Sequence, residues 1–292
     1  MLKNVILAEM LEHGLFYHEE ETKIALRKLE VSSEILPSEL PQINEIIWPR
    51  ESLRIDENLS IVGLNGPPSA GKTTVFTRSY NEMADKIQIP VSVTGTPTPW
   101  IYHLGRYASK FKNNLQGDPT IRYSFFEQHM WQLYALKSEY ETYAEVCAGK
   151  EMSTPILVER NELDILVFSR ANYLHGGRLH RFSQDIIEYT VEEIMQPDWP
   201  RLKPFYKAYI FCLIPPKESL DRDEEQENPS RTVLTLPFLN TLYEQYLRIH
   251  LQAISGDIPH PYACLDFTKT PDENYRLLTD TLNTMHDYFS KV

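Results

Sequence analysis

The chain has 292 residues, 42% hydrophobic and 24% charged, enough to bury a sizeable core in one large domain or two small ones. Its 29 basic and 41 acidic residues leave a net charge of −12, which argues against broad wrapping on nucleic acid or an anionic membrane and leaves room for a local basic pocket. Cys147, Cys212 and Cys264 have neither zinc nor disulfide spacing and read as reduced thiols of a cytoplasmic protein; Glu9, Glu12 and His13 interrupt the N-terminal apolar residues, so no signal peptide is visible, and no apolar run approaches membrane-spanning length.

Residues 1–58 read as a helical appendage. Val5, Ile6, Met10 and Leu11 suit one helical face, a second helix-like run holds Ile24, Ala25 and Leu29, and Pro37, Pro41 and Pro49 break the connection that follows. From residue 59 to 292, strand-like runs at 59–64, 89–94, 155–159, 206–213 and 262–267 alternate with helical ones near 72–85, 122–148, 163–174, 184–195, 237–254 and 272–290. Such alternation implies a parallel sheet covered on both faces, with ligands gathered beyond the carboxyl ends of its strands.

The first of these strands runs into Gly66-Pro67-Pro68-Ser69-Ala70-Gly71-Lys72-Thr73, the spacing G-x-x-x-x-G-K-[ST], and Thr74 onward suits a helix. Strand, glycine-bounded loop and helix start are the setting this phosphate-binding motif requires. Its N–H groups and the helix dipole favour an anion, Lys72 would reach the β- and γ-phosphates, and the Thr73 hydroxyl would hold Mg²⁺. Residues 66–74 are therefore the expected nucleotide cradle.

The second strand leads into Thr94-Gly95-Thr96-Pro97-Thr98-Pro99-Trp100, a loop whose hydroxyls suit either a substrate contact or ordinary turn chemistry. In the helix that follows, Phe126, Met130 and Leu133 form an apolar stripe, and Gln128 is the polar member able to read a base edge through paired hydrogen bonds. The third strand delivers Glu159-Arg160, with Asp164 just beyond. A carboxylate at a strand end facing a phosphate loop is placed to hold Mg²⁺, and an adjacent arginine to clamp an anion. After the fourth strand, Pro215 to Arg231 reads as a short helix running into a polar loop, with Arg222 and Arg231 as the cations able to close over a transferring group.

Taken together, these residues resemble the deoxyribonucleoside kinase and thymidylate kinase group of P-loop kinases over roughly residues 59–290. The phosphate loop matches, and Glu159-Arg160 with Asp164 is similar to the Glu-Arg-Ser signature, with Asn161 where serine is usual. Ser124 through Gln128 is similar to the helix whose glutamine reads the base, and Arg222 with Glu224-Glu225 to the arginine-rich lid. The resemblance implies a three-layer α/β/α sandwich with five parallel strands in the order 2-3-1-4-5, and ATP- and Mg²⁺-dependent phosphoryl transfer. The acceptor would be a nucleoside or nucleoside monophosphate contacted by Thr96, Trp100, Gln128, Arg160 and Asp164, in a protein free of membrane and of extended nucleic acid; a homodimer is compatible with it.

One departure matters. Where nucleoside kinases carry a Glu-Pro pair after the second strand, this chain has Thr96-Pro97, and threonine does not accept a proton as the glutamate does. Glu159 could serve as base, or the acceptor could already be a phosphate. The alternatives outside this class are a P-loop kinase of another small molecule or a protein target, and a nucleotide-dependent interaction module that uses residues 1–58.

Overall fold

The computed structural model describes residues 32–49, 60–82, 156–175, 179, 181–195, 206–226 and 234–289, together with helical positions 126, 128–130, 132–133, 136–137 and 140. The described sheet has strands β1 (Ile46–Ile47), β2 (Ser60–Asn65), β3 (Ile156–Glu159), β4 (Tyr206–Leu213) and β5 (Tyr262–Asp266) in the order β1-β5-β4-β2-β3. The helices are α1 (Lys72–Glu82), α2 (Glu162–Leu174), α3 (Arg181–Met195), α4 (Pro216–Glu224), α5 (Leu236–Ser255) and α6 (Pro271–Phe289), preceded by a 3₁₀ turn at Pro37–Glu39.

Period-2 alternation divides the core in two. Tyr209, Phe211 and Leu213 of β4 face one side with Ile61, Val158, Tyr262 and Cys264, beneath α2, α3, α5 and the helical residues Leu133, Leu136 and Tyr140. Ala208, Ile210 and Cys212 face the other with Val62, Leu64, Leu157 and Leu265, beneath α1 and α6. Strands buried on both faces read as continuous apolar runs, which is why β2 and β4 are so plain in the sequence. β2 lies between β3 and β4, pairing in parallel with both, Leu64 opposite Glu159 on one side and Ile210 on the other.

Two details correct the expected sheet. It is not wholly parallel, because β1 pairs antiparallel with β5, Ile46 opposite Ala263 and Ile47 opposite Tyr262. The fifth described strand thus comes from residues 46–47, inside the stretch expected to be helical appendage and proline-broken connection; two residues are too few to show a period. The expected strand 89–94 lies outside the described residues, and the other four keep their expected relative order. The polypeptide before β1 is fastened to the same layers. Asn44 N–H donates to Cys264 O at 2.7 Å, its side-chain Oδ1 accepts from Asp266 N–H at 2.8 Å, and the Tyr243 hydroxyl donates to Ile35 O at 2.9 Å.

Candidate active site

Strand β2 ends in the loop 66–71, between the carboxyl ends of β3 and β4. Gly66 has φ 138°, and a Cβ there would stand 2.3 Å from the Cys212 carbonyl oxygen of β4, so both the turn and the packing require glycine. Val75 N–H donates to Gly71 O at 3.2 Å, opening α1 directly behind the loop. Lys72 is only 4% exposed, and its Nζ donates to Gly66 O at 3.0 Å and Pro67 O at 2.6 Å. Burial first, and then the nearby charge of Arg160, lower the Lys72 pKa to about 8, against the pull of Asp164 and Glu159.

β3 brings its carboxylate to the same place. Glu159 is buried, and the Thr73 hydroxyl donates to its Oε1 at 2.9 Å and lies 3.1 Å from its Oε2. Arg160 follows with φ 66°, its N–H donating to Leu64 O at 2.8 Å, which turns the chain sharply out of the strand. Asn161 then caps α2, its Oδ1 accepting from Leu163 N–H at 3.1 Å; a Cβ on Gly63 would overlap its amide at 1.9 Å, so the cap sits flat on β2.

Asp164, 1% exposed, joins the two parts. Its Oδ1 accepts from Gly66 N–H at 3.2 Å and from the Tyr246 hydroxyl of α5, while its Oδ2 pairs with the Arg160 guanidinium. Arg160 also lies over the Phe168 ring at 4.9 Å, and its buried Nε has no hydrogen-bond partner among the described residues. Burial works against the Arg160 charge, but Asp164, Tyr246 and Glu159 outweigh it and raise its pKa. The Tyr246 phenol is pushed well up by burial and by Asp164 and stays protonated.

On the other side of the loop, Arg222 of α4 donates to Ala70 O at 3.4 Å and Phe267 O at 3.1 Å and pairs with Glu218. Ser219 donates to Pro68 O at 2.7 Å, and Gln226 Nε2 to Ser69 Oγ at 2.9 Å. Thr74 points to solvent. Gln128 is half-buried on the helix whose Phe126, Met130 and Leu133 pack into the core on the α2 side of the sheet. Thr96, Trp100 and Arg231 lie outside the described residues.

The structure therefore gathers Gly66 through Thr73, Glu159, Arg160 and Asp164 into one connected set and holds Arg222 against the loop. Sequence reasoning missed Tyr246 and Ser219. Tyr246 sits in an apolar helical stripe with no mark of its second role, and Ser219 is one serine in a polar run. It also missed Glu162, fully buried, which accepts from Tyr140 at 2.8 Å and Tyr209 at 2.7 Å.

No family model matches the sequence, and no curated protein matches it. Solved structures do. The deoxyadenosine kinase of M. mycoides with the products dCMP and a flexible dCDP bound superposes with a TM-score of 0.55 at 13% identity, covering 76% of this chain and 98% of that one. The chain shares the fold of that deoxynucleoside kinase. The same enzyme with dATP bound gives 0.52 at 15% identity, and with dCTP bound 0.51 at 15%, over 76% of this chain in each case. About a quarter of this chain thus has no counterpart in a neighbour that is matched almost from end to end.

Proposed function

We propose that the chain is an ATP- and Mg²⁺-dependent phosphotransferase acting on a nucleoside or nucleoside monophosphate. The observation that carries this reading is the meeting of the Thr73 hydroxyl and the buried Glu159 carboxylate, 2.9 Å apart, at the mouth of a loop that already holds Lys72. Hydroxyl and carboxylate oxygens at a phosphate cradle suit Mg²⁺, which takes one or two protein oxygens and completes its shell with phosphate and water. Thr73 and Glu159 would hold that ion, and the chemistry it would supply there is neutralisation of phosphate charge.

The protein's own groups do the rest. Loop N–H groups and Lys72 bind the donor tail, Lys72 exchanging its two backbone carbonyls for phosphate oxygens. Arg160, with its Nε unpaired among the described residues and its guanidinium fixed by Asp164, positions the acceptor. Arg231 and Arg222 are the cations assigned to the transferring group, and Arg222 reaches it only by leaving Ala70 O and Phe267 O. Gln128 reads the base, and Thr96 and Trp100 line the acceptor side. Residues 59–292 carry the transfer, with residues 1–58 appended and β1 completing the sheet. We assign the protein to the cytoplasm, with a homodimer as the assembly to test.

Thr96 in place of a glutamate favours an acceptor that is already a phosphate, since such an acceptor needs little help from a base. The same substitution motivates a second reading, a P-loop kinase of a non-nucleotide acceptor. A phosphate-transfer assay over a panel of nucleosides and monophosphates, with Lys72→Ala as control, separates the two. The first reading expects turnover strongest on monophosphates, and absence of turnover on the whole panel defeats it.

A further inference from the structure

The loop 66–71 has an uncommon backbone. Gly66 (φ 138°), Ser69 (φ 56°) and Gly71 (φ 88°) all have positive φ. Pro67 and Pro68 carry no N–H and Gly66 N–H is held by Asp164, so the N–H groups able to form an anion nest are those from Ser69 onward. Ser69 carries a side chain there, a conformation that costs about 1–2 kcal/mol and persists only where neighbours enforce it. An inward N–H requires the carbonyl of the same peptide unit, that of the preceding residue, to face out. Gly66 O and Pro67 O precede prolines and so oppose no N–H; they are held by Lys72, the group expected to leave for phosphate. Pro68 O and Ala70 O are held by α4, through the Ser219 hydroxyl at 2.7 Å and the Arg222 guanidinium at 3.4 Å, while Gln226 holds the Ser69 hydroxyl at 2.9 Å. Ser219 and Arg222 fall three residues apart on one face of α4, and Gln226 follows just beyond its C-cap Glu225.

The Ser219 bond is not the one a helical serine ordinarily makes. Such hydroxyls turn back to the carbonyl four residues earlier. Ser79 does so at 2.8 Å to Val75 O, Thr281 at 2.9 Å to Leu277 O and Thr284 at 2.8 Å to Asp280 O. Ser219, fully buried, instead reaches across to a loop distant by 151 residues in sequence.

We infer that Ser219 is a positioning residue for polyphosphate binding: its hydroxyl keeps the Pro68 carbonyl turned out, so that the nest stays formed after Lys72 lets go of its own carbonyls. This rests on the nucleotide reading of the loop and adds to it a residue that touches no ligand. Because it acts on the cradle, its loss falls equally on every ligand that shares the phosphate tail.

The test is calorimetric titration of the full chain, with Mg²⁺, by ATP and by inorganic tripolyphosphate. Ser219→Ala is expected to weaken both by the same factor, about fivefold for one neutral hydrogen bond. In the transfer assay the loss should fall on the triphosphate KM more than on kcat. Unchanged affinities, or a loss for ATP alone, overturn the inference. Should Ser219→Ala fail to fold, Ser219→Cys keeps the volume with a weaker donor and must give the same equal weakening, about twofold. Lys72→Ala separates the two levels. If it binds both ligands as tightly as the unaltered chain, the nucleotide reading falls and this inference with it; if it loses both while Ser219→Ala loses neither, only the role of Ser219 falls.

Discussion

The phosphate loop is held from two sides by different chemistry. On the β3–α2 side the contacts are ionic: Glu159 on Thr73, Asp164 on Gly66 N–H, and Arg160 on Asp164. On the α4 side hydroxyl, amide and guanidinium donors bond to carbonyls and to the Ser69 hydroxyl, which itself lies 3.5 Å from the Asp223 carboxylate, and the ion pairs of Arg222 with Glu218 and of Lys217 with Asp221 are internal to the helix. The difference separates two tasks. The β3–α2 side places its charges where the phosphates and their cation must be met, and the opposite side fixes backbone shape, through the neutral Ser219 and Gln226 side chains together with the part-buried Arg222 guanidinium. Loss of the ionic side should therefore cost rate, and loss of the other side affinity.

The largest effect tests that division directly. Glu159→Gln keeps the shape and an acceptor for Thr73 but removes the negative charge, and should lower kcat by about 10²-fold or more while raising the Mg²⁺ concentration needed for half-maximal rate. Metal titrations of the two proteins check it, and an unchanged Mg²⁺ requirement breaks the assignment of charge to that side.

Next is the pH dependence of Lys72. Its pKa is lowered to about 8, so it is charged below that value and neutral above it. Phosphate binds the charged form and pulls the pKa back up. Triphosphate affinity should thus be full below about pH 8 and fall by up to about tenfold for each unit above it, with proton uptake on binding between pH 8 and 9. Calorimetry in two buffers of different ionisation enthalpy measures the uptake; none at pH 8.5 contradicts the assignment.

Tyr246→Phe is the finer test. The ring packs edge-on against Phe211 at 5.4 Å and is retained, while Asp164 loses a donor that fixes it against both Gly66 and Arg160. A fall in kcat/KM of about fivefold, shared between donor and acceptor constants, is expected. A change confined to one of them would show that Asp164 does not couple the two.

The smallest effect on transfer should come from Glu162→Gln. This carboxylate sits close to Asp164 in sequence but accepts from Tyr140 and Tyr209, away from the loop. Its neutralisation should cost about 1–3 kcal/mol of stability, read from denaturant melts, and leave the transfer constants near those of the unaltered chain.

These two carboxylates show what the sequence could and could not tell. Both fall in the first turn of α2, and helix-N-terminal preference favours acid at both. Only the tertiary partners, a tyrosine pair for Glu162 and an arginine with a loop N–H for Asp164, give them different roles. Elements with strong local signals were legible: β2, the loop, α1, β4 and α5 carry apolar runs, glycines at required turns or long helical periods. The Glu159–Arg160 corner was legible because a strand-end rule says where to look. Tyr246 and Ser219 were not, since a hydroxyl that reaches across the fold leaves no pattern in its own neighbourhood. β1 was hidden by its length, and its antiparallel pairing is a property of β5 as much as of its own residues.

That short strand bears on how the protein behaves when concentrated. The outer rim of β5 offers unpaired peptide groups to any passing extended chain, and Ile46–Ile47 occupies them, with Asn44 sealing the positions beyond. Removing residues through 49 would uncover a template for intermolecular pairing, and such a truncation should form higher-order species on light scattering while its helices remain folded.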